Sequence, residues 1–149
     1  LWGAMGGAAL VALGIAQAQR DRPVAAFTGD GEQLMGLGGL ATIAVSRARN
    51  LSVVVLDNGH FGETGGQASH SGLGVDLAAV AQAMGIPVVI TVSDTAGLEK
   101  AREILGGTDS GPNLIVVRIA NGETPRALPV RDGSAIKTRF RAHLELQAS

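Results

Sequence analysis

The hydrophobic positions along the chain alternate between short continuous runs and longer segments of helical spacing. Residues 24–27 and 51–56 are apolar runs typical of buried strands, and leucine, alanine and valine recur at every third or fourth position of residues 34–48, as in an amphipathic helix. The other predicted elements are helices at 76–84, 95–105 (capped by Asp94 or Thr95) and 134–146, and strands at 87–92 and 114–119. This order predicts an α/β fold: a doubly wound, open parallel sheet with helices on both faces, in a single domain.

The first part of the chain, residues 3–19, is almost wholly apolar. It has no basic flank ahead of it, is interrupted by Gly6, Gly7 and Gly14, and is short for a bilayer, so we predict a buried helix rather than a signal peptide or a membrane span. Because the chain opens with Leu1 instead of methionine, we expect that a preceding segment is removed or contributed elsewhere.

Composition excludes several classes of protein. Among 149 residues, 12 Lys and Arg balance 13 Asp and Glu, so the basic surplus of a nucleic-acid binder is missing. The absence of cysteine excludes disulfides, thiolate-bound zinc, iron–sulfur clusters and a thiol nucleophile. A hydrophobic content of 46% argues against disorder. We expect a compact cytoplasmic protein that binds neither nucleic acid nor membranes.

Two segments after predicted strands are not built for packing. The first is Gly29-Asp30-Gly31, between a strand and a helix, where glycines allow a sharp turn and a close ligand, and helix-start amides favour an anion such as phosphate. Taken alone, the triplet is equally a tight turn with a capping Asp. The second is the long segment 57–74, and connections of that length are uncommon in compact domains unless they are functional.

Asn58 follows the second strand, 28 positions after Asp30 and with one helix between them. Because the carboxyl ends of neighbouring parallel strands lie side by side, both side chains can face one site. A carboxylate, an amide oxygen and a nearby carbonyl form an oxygen set suited to Mg²⁺, which completes its coordination with phosphate oxygens and water. The pattern predicts a Mg²⁺–diphosphate site, the alternative being two unrelated turns.

The Gly-Asp-Gly triplet, followed at this interval by a strand ending in Asn, resembles the cofactor fingerprint of thiamine-diphosphate enzymes in their diphosphate-binding domain, over nearly the whole chain. The resemblance implies that Asp30, the side chain of Asn58 and the carbonyl of His60 bind Mg²⁺. The implied cofactor contacts are Gly3, Met5, Gly29, Asp30, Gly31, Glu32, Asn58, His60, Phe61 and Gly62.

The segment Gly3-Ala4-Met5-Gly6 is similar to the Gly-x-Met-Gly element of the same family. This similarity implies that the Gly3 carbonyl accepts from the aminopyrimidine amine, that the Met5 amide donates to the ring, and that the Met5 side chain bends the cofactor. Glu32 replaces a small residue of the family, and we expect its carboxylate to point away from the diphosphate or to bind water.

Within the family, Thr64-Gly65-Gly66-Gln67 resembles the small-subunit decarboxylases of sulfopyruvate, with phosphonopyruvate decarboxylases nearby. The resemblance implies a carboxy-lyase acting on a small anionic 2-oxo acid. One alternative is the β subunit of a 2-oxo acid oxidoreductase, although such subunits carry iron–sulfur cysteines; another is a cofactor-binding module without catalysis. A dinucleotide-binding domain is disfavoured because no Gly-x-Gly-x-x-Gly opens a helix.

In this family the glutamate that activates the cofactor comes from a pyrimidine-binding domain, which a chain of this length cannot also contain. We therefore expect a partner subunit or domain, in a homo- or hetero-oligomer. His60 and His70 are candidate catalytic residues because histidine carries protons near neutral pH. The alternative is that His60 lends only its carbonyl and that His70 hydrogen-bonds within the loop. We expect segment 57–74 to close over the ligand, unless Phe61 and Leu73 anchor it rigidly.

Overall fold

A computed structural model describes residues 4–122, 125 and 127–146 of the chain. Its main strands are β1 (Val24–Gly29), β2 (Leu51–Asp57), β5 (Val88–Val92) and β6 (Asn113–Arg118). They form a four-stranded parallel sheet in the order β1-β2-β6-β5. Two short strands, β3 (His60–Phe61) and β4 (Gln67–Ala68), form a separate antiparallel pair after β2.

Helices cover both faces of the main sheet. The helices of the described chain are α1 (Ala8–Ala18), α2 (Asp30–Met35), α3 (Gly39–Ser46), α4 (Leu77–Ala83), α5 (Thr95–Leu105) and the exposed α6 (Gly133–His143). Side chains of α1, α3 and α4 pack on one face, against Val53 and Val55 of β2, while Ala101 of α5 packs on the other, against Val54 and Ile115. Both faces of β2 are therefore buried, which explains its continuous β-branched run. The predicted doubly wound parallel sheet is confirmed.

The element boundaries agree with the sequence prediction within three residues, except at the start of α1, which begins at Ala8 instead of residue 3, and between residues 34 and 48. The single helix predicted there is wrong, because residues 36–38 separate α2 from α3. At Gly36 a Cβ would lie 2.1 Å from the Gly6 carbonyl oxygen, and Gly6 itself has a φ of +87°. The N-terminal segment thus contacts the backbone at the point where the helix is interrupted. Segment 57–74, predicted as a loop, contains β3, β4 and a 3-10 turn at Gly62–Thr64.

The predicted apolar helix near the N-terminus is α1, which buries Ala9, Ala12, Leu13 and Ala16. Among the described residues, no helix combines the length and the apolar character needed to cross a bilayer.

Asn50 holds the C-terminal end of α1 against the start of β2. Its Nδ2 lies 3.1 Å from the carbonyl oxygen of Ala16, 2.9 Å from that of Gln19 and 2.8 Å from that of Arg22. These carbonyls belong to the last turn of α1 and the connection to β1, where intrahelical donors run out. The buried amide therefore supplies donors that the helix itself lacks.

Candidate functional site

A cavity of about 420 Å³ lies at the carboxyl ends of β1 and β2, where Gly29, the last residue of β1, pairs with Leu56, the second-to-last residue of β2. The structure brings nine of the ten predicted cofactor contacts to its lining: Met5, Gly29, Asp30, Gly31, Glu32, Asn58, His60, Phe61 and Gly62. The tenth, Gly3, lies outside the described residues. Their contacts with a cofactor stay predictions. The structure does bring the ends of the two predicted strands, with Asp30 and Asn58, to one cavity.

Asp30 begins α2 directly after β1 and is only 2% exposed. Its Oδ2 accepts hydrogen bonds from the hydroxyls of Ser69 and Ser71, the latter at 2.8 Å. Among the described residues, no Lys or Arg forms an ion pair with it and Oδ1 has no hydrogen-bond donor. Burial of a carboxylate is costly without a compensating positive charge. The cavity therefore favours a cation beside Asp30.

Asp57, at the end of β2, is a second buried carboxylate, but its charge is compensated. Its Oδ2 forms an ion pair with Arg118, the residue level with it on β6. Its Oδ1 accepts from the amide of Gly59 at 3.0 Å and lies 2.8 Å from the Ser71 hydroxyl. Asp57, Ser69, Ser71 and Arg118 were not among the predicted site residues. Of these four residues, only Asp57 could have been suspected from the sequence, because it directly precedes Asn58 at the end of a predicted strand.

Asn58 and His60 form a closed turn at the cavity. The Asn58 side-chain oxygen accepts from the His60 amide at 3.0 Å, and His60 Nδ1 lies 2.8 Å from the Asn58 carbonyl oxygen. An amide oxygen has two acceptor lone pairs, so one remains for another partner. Among the described residues, no cluster of three His, Cys, Asp or Glu side chains is placed to hold a metal. A cation at this site would be bound by mixed oxygen donors, as Mg²⁺ is.

Close contacts hold segment 57–74 against α2. A Cβ on Gly31 of α2 would lie 2.6 Å from the Phe61 ring. Within the segment itself, a Cβ on Gly72 would lie 2.2 Å from the Gly59 carbonyl oxygen. Leu73, which with Phe61 was the alternative anchor for a rigid segment, is 75% exposed and does not anchor it. Buried Ser69 and Ser71 make the segment's polar contacts with Asp30. Closure of the segment over a ligand stays a prediction.

The two candidate histidines are placed differently. His60 lines the cavity, whereas His70 is exposed and is not part of the lining. The His70 ring instead meets the Phe61 ring edge to face, with centroids 6.2 Å apart.

Glu32 has a set of partners that sequence reasoning missed. Its Oε1 accepts from the backbone amide of Gly6 at 2.8 Å and from that of Ala8 at 3.2 Å. These partners are more than twenty positions away and carry no side-chain signal, since the donors are backbone groups.

Residues 1–117 match the family described as "Thiamine pyrophosphate enzyme, C-terminal TPP binding domain". The chain belongs to this family. The match covers most of the chain and includes the ends of β1 and β2 that form the cavity.

Curated relatives extend the similarity. Phosphonopyruvate decarboxylase of Streptomyces viridochromogenes is 41% identical over 145 residues, and the alignment covers 94% of this chain and 35% of the relative. Sulfopyruvate decarboxylase subunit beta of Methanothermobacter thermautotrophicus is 42% identical over 138 residues, covering 93% of this chain and 70% of the relative. The chain thus spans about a third of the phosphonopyruvate decarboxylases that it matches, at 35% and 29%.

Solved structures show the same fold at lower identity. The thiamine diphosphate-dependent 4-hydroxybenzoylformate decarboxylase of Rhodococcus jostii RHA1 superposes with a TM-score of 0.62 at 23% identity, covering 80% of this chain and 24% of that one. Transketolase from Campylobacter jejuni gives a TM-score of 0.53 at 18% identity, covering 76% and 19%. The TPP-binding domain therefore shares its fold with parts of two larger enzymes.

Proposed function

We propose that this chain is the cofactor-binding subunit or domain of a thiamine-diphosphate-dependent 2-oxo acid decarboxylase with a small anionic substrate, like sulfopyruvate or phosphonopyruvate. The observation that carries the proposal is the buried Asp30 carboxylate, without a basic partner among the described residues, in the cavity that also contains Asn58 and His60. The names of the relatives, a phosphonopyruvate decarboxylase and a sulfopyruvate decarboxylase subunit beta, support the reaction class.

The proposed metal is Mg²⁺, bound by the Asp30 carboxylate, the Asn58 side-chain oxygen and the His60 carbonyl. Mg²⁺ takes few protein ligands and completes its octahedron with water and phosphate oxygens. The donors fit this requirement, because Asp30 Oδ1 is without a hydrogen bond among the described residues and Asn58 Oδ1 accepts only one.

When bound, thiamine diphosphate supplies the nucleophile for the 2-oxo acid and the electron sink for the loss of carbon dioxide. The residues of this chain bind and orient it. Met5 lines the cavity with 53% of its surface exposed, where an unbranched, polarizable side chain can support the bent cofactor. Gly29 and Gly31 flank Asp30 at the same cavity, without a side chain between the backbone and a ligand.

A partner is proposed to complete the site. Exposed apolar side chains surround the cavity, and Met5, Phe27 and Met35 are each more than half exposed. Contiguous exposed apolar surface marks interaction sites. Three carboxylates line the cavity: Asp30 and Glu32 accept hydrogen bonds, and Glu63 is exposed on the segment after β3. We assign the activating glutamate to the partner's pyrimidine-binding domain because the resemblance to thiamine-diphosphate enzymes implies it.

The substrate's second anionic group is also proposed to meet the partner. The described lining of the cavity contains neither Lys nor Arg, and His60 is its one histidine. Recognition of a sulfonate or phosphonate by arginine or lysine therefore needs residues from outside this lining.

The test is carbon dioxide release by the chain assembled with its pyrimidine-binding domain, assayed on sulfopyruvate, phosphonopyruvate and pyruvate. We expect activity with an anionic substrate, no activity of the chain alone, and loss of both activity and Mg²⁺-dependent cofactor binding in D30N. The matched control is D109N, which alters an exposed aspartate that pairs with exposed Arg49. A requirement for an electron acceptor would favour the oxidoreductase, and cofactor binding without turnover would favour the non-catalytic module.

A further inference from the structure

Glu32 joins the two segments that the proposed function places on different parts of the cofactor. It lies on α2, two positions after Asp30, and its Oε1 accepts from the amides of Gly6 and Ala8. Gly6 follows Met5 directly. One carboxylate thus links the segment carrying the proposed ring contact to the helix that begins with the proposed metal ligand.

These hydrogen bonds satisfy amides that α1 cannot satisfy itself. The N-cap residue of α1 is Gly7, which has no side chain to accept from the first amides, and the first turn of α1 contains no acidic residue. A helix start normally receives such an acceptor from Ser, Thr, Asp or Asn at the N-cap. Glu32 supplies it from another helix, and its negative charge is favourable at a helix N-terminus.

A second contact between the same segments lies at the other end of α2. A Cβ on Gly6 would lie 2.8 Å from the Gly36 nitrogen, and one on Gly36 would lie 2.1 Å from the Gly6 carbonyl oxygen. Gly36 follows α2 directly, whereas Glu32 lies in its first turn. The N-terminal segment is therefore fixed to α2 at two points, one polar and one formed by backbone packing.

We propose that Glu32 is a positioning residue that fixes the Met5-bearing turn relative to the Asp30 end of α2, so that both parts of the cofactor surface are preorganised as one unit. The identity of the ligand rests on the proposed function. Binding to a preformed surface avoids the cost of ordering it, which raises affinity. Glu32 acts through the backbone of residues 6 and 8, and its carboxylate is held by that backbone.

Three substitutions separate the acceptor from the charge. E32Q removes the charge and keeps a side-chain oxygen that can accept from both amides. E32D keeps the charge but shortens the side chain by one methylene, and E32A removes both. E103A serves as the control, because Glu103 is an exposed carboxylate on α5. The variants are compared in the full chain by hydrogen exchange of the Gly6 and Ala8 amides, and in the assembled complex by titration with Mg²⁺ and thiamine diphosphate.

We expect E32A and E32D to accelerate exchange of both amides by roughly tenfold and to weaken cofactor binding by a similar factor, as expected for loss of a helix cap. E32Q and E103A should stay within about threefold of the unmodified protein in both measurements. In the assembled enzyme the KM for the cofactor should rise in E32D, while kcat at saturation is retained.

Normal cofactor affinity in E32A or E32D overturns the positioning role alone. Binding as weak in E32Q as in E32D also overturns it, since the acceptor oxygen would then not be what matters. If E32A does not fold, the comparison of E32D with E32Q decides. If the unmodified complex does not bind Mg²⁺ and thiamine diphosphate, the proposed function fails and the positioning role fails with it.

Discussion

The buried carboxylates of Asp30 and Asp57 lie on either side of one hydroxyl group, that of Ser71, at 2.8 Å each. A hydroxyl has one hydrogen and donates to one carboxylate at a time. Arg118 compensates the charge of Asp57, whereas Asp30 has no basic partner among the described residues. The two carboxylates are therefore equally buried, but only the charge of Asp57 is compensated by a basic residue among those described. Asp30, whose charge is not compensated, is the proposed metal ligand.

Replacing Ser71 should weaken the metal site. In S71A the two carboxylates lose the hydroxyl between them, and Ser69 is then the one donor left to Asp30 among the described residues. Removal of a group that orients a metal ligand typically costs about 10- to 100-fold in metal affinity. Titration of cofactor binding with Mg²⁺ measures this loss, and S134A, which alters an exposed serine of α6, is the control. Unchanged Mg²⁺ dependence in S71A would show that the hydroxyl does not support Asp30.

Removing Arg118 should destabilise the fold through Asp57. Breaking a fully buried ion pair costs about 3–5 kcal/mol because one charge is left unpaired, and we expect roughly 2–3 kcal/mol in R118M since the Arg118 side chain is 42% exposed. D57N removes the charge that Arg118 compensates. The double variant R118M/D57N should therefore lose less stability than the sum of the single variants. Urea unfolding measures all three, and strictly additive losses would contradict this coupling.

Two glycines of the connection between α2 and α3 should respond oppositely to alanine. G36A places a Cβ 2.1 Å from the Gly6 carbonyl oxygen, and backbone displacement should cost roughly 2–3 kcal/mol or more. G38A is the matched control, because its Cβ would meet nothing within 4 Å and its φ of −60° suits alanine. G38A should be neutral or more stable by about 0.4–1 kcal/mol. Equal urea midpoints for the two variants would exclude a tight approach at Gly36.

His70 should be dispensable for the chemical step. It is exposed, lies outside the cavity lining and contacts the Phe61 ring. A general acid or base contributes about 10²- to 10⁴-fold to rate, so we expect kcat of the assembled enzyme to change by less than about threefold in H70A. The companion variant H60A keeps the proposed carbonyl ligand and tests the His60 ring by itself. A hundredfold loss in H70A would restore its catalytic role.

The sequence predicts those parts of the fold and site that depend on local pattern. The run at 51–56 and the glycines around Asp30 mark two strand ends, and parallel connection places Asp30 and Asn58 at one cavity, as found. The order of the strands β1-β2-β6-β5 is not local, and neither is the register that sets Asp57 level with Arg118. The charge balance of the site could therefore not be inferred before the structure.

Contacts made by backbone groups are also invisible in the residue pattern. Gly36 looks like a tolerable residue inside a helical run, and only the approach of Gly6 explains the interruption. From the sequence, the Glu32 carboxylate is expected to repel a diphosphate. The sequence pattern does not show that this carboxylate accepts hydrogen bonds from the backbone amides of residues 6 and 8. Ser69 and Ser71 lie 39 and 41 positions after Asp30 in a glycine-rich segment, where serine has no distinguishing pattern.

The Asn50 contacts with the end of α1 have a consequence for how this molecule opens. Helices commonly fray from their ends, where backbone groups lack partners. Glu32 of α2 accepts from the amides of Gly6 and Ala8 at the start of α1, and Asn50, directly before β2, donates to the carbonyls of Ala16 and Gln19 at its end. Neither end can unwind without breaking a buried or half-buried tertiary bond. The helix should therefore exchange its amide hydrogens in the same cooperative unit as β1 and β2, instead of melting ahead of them.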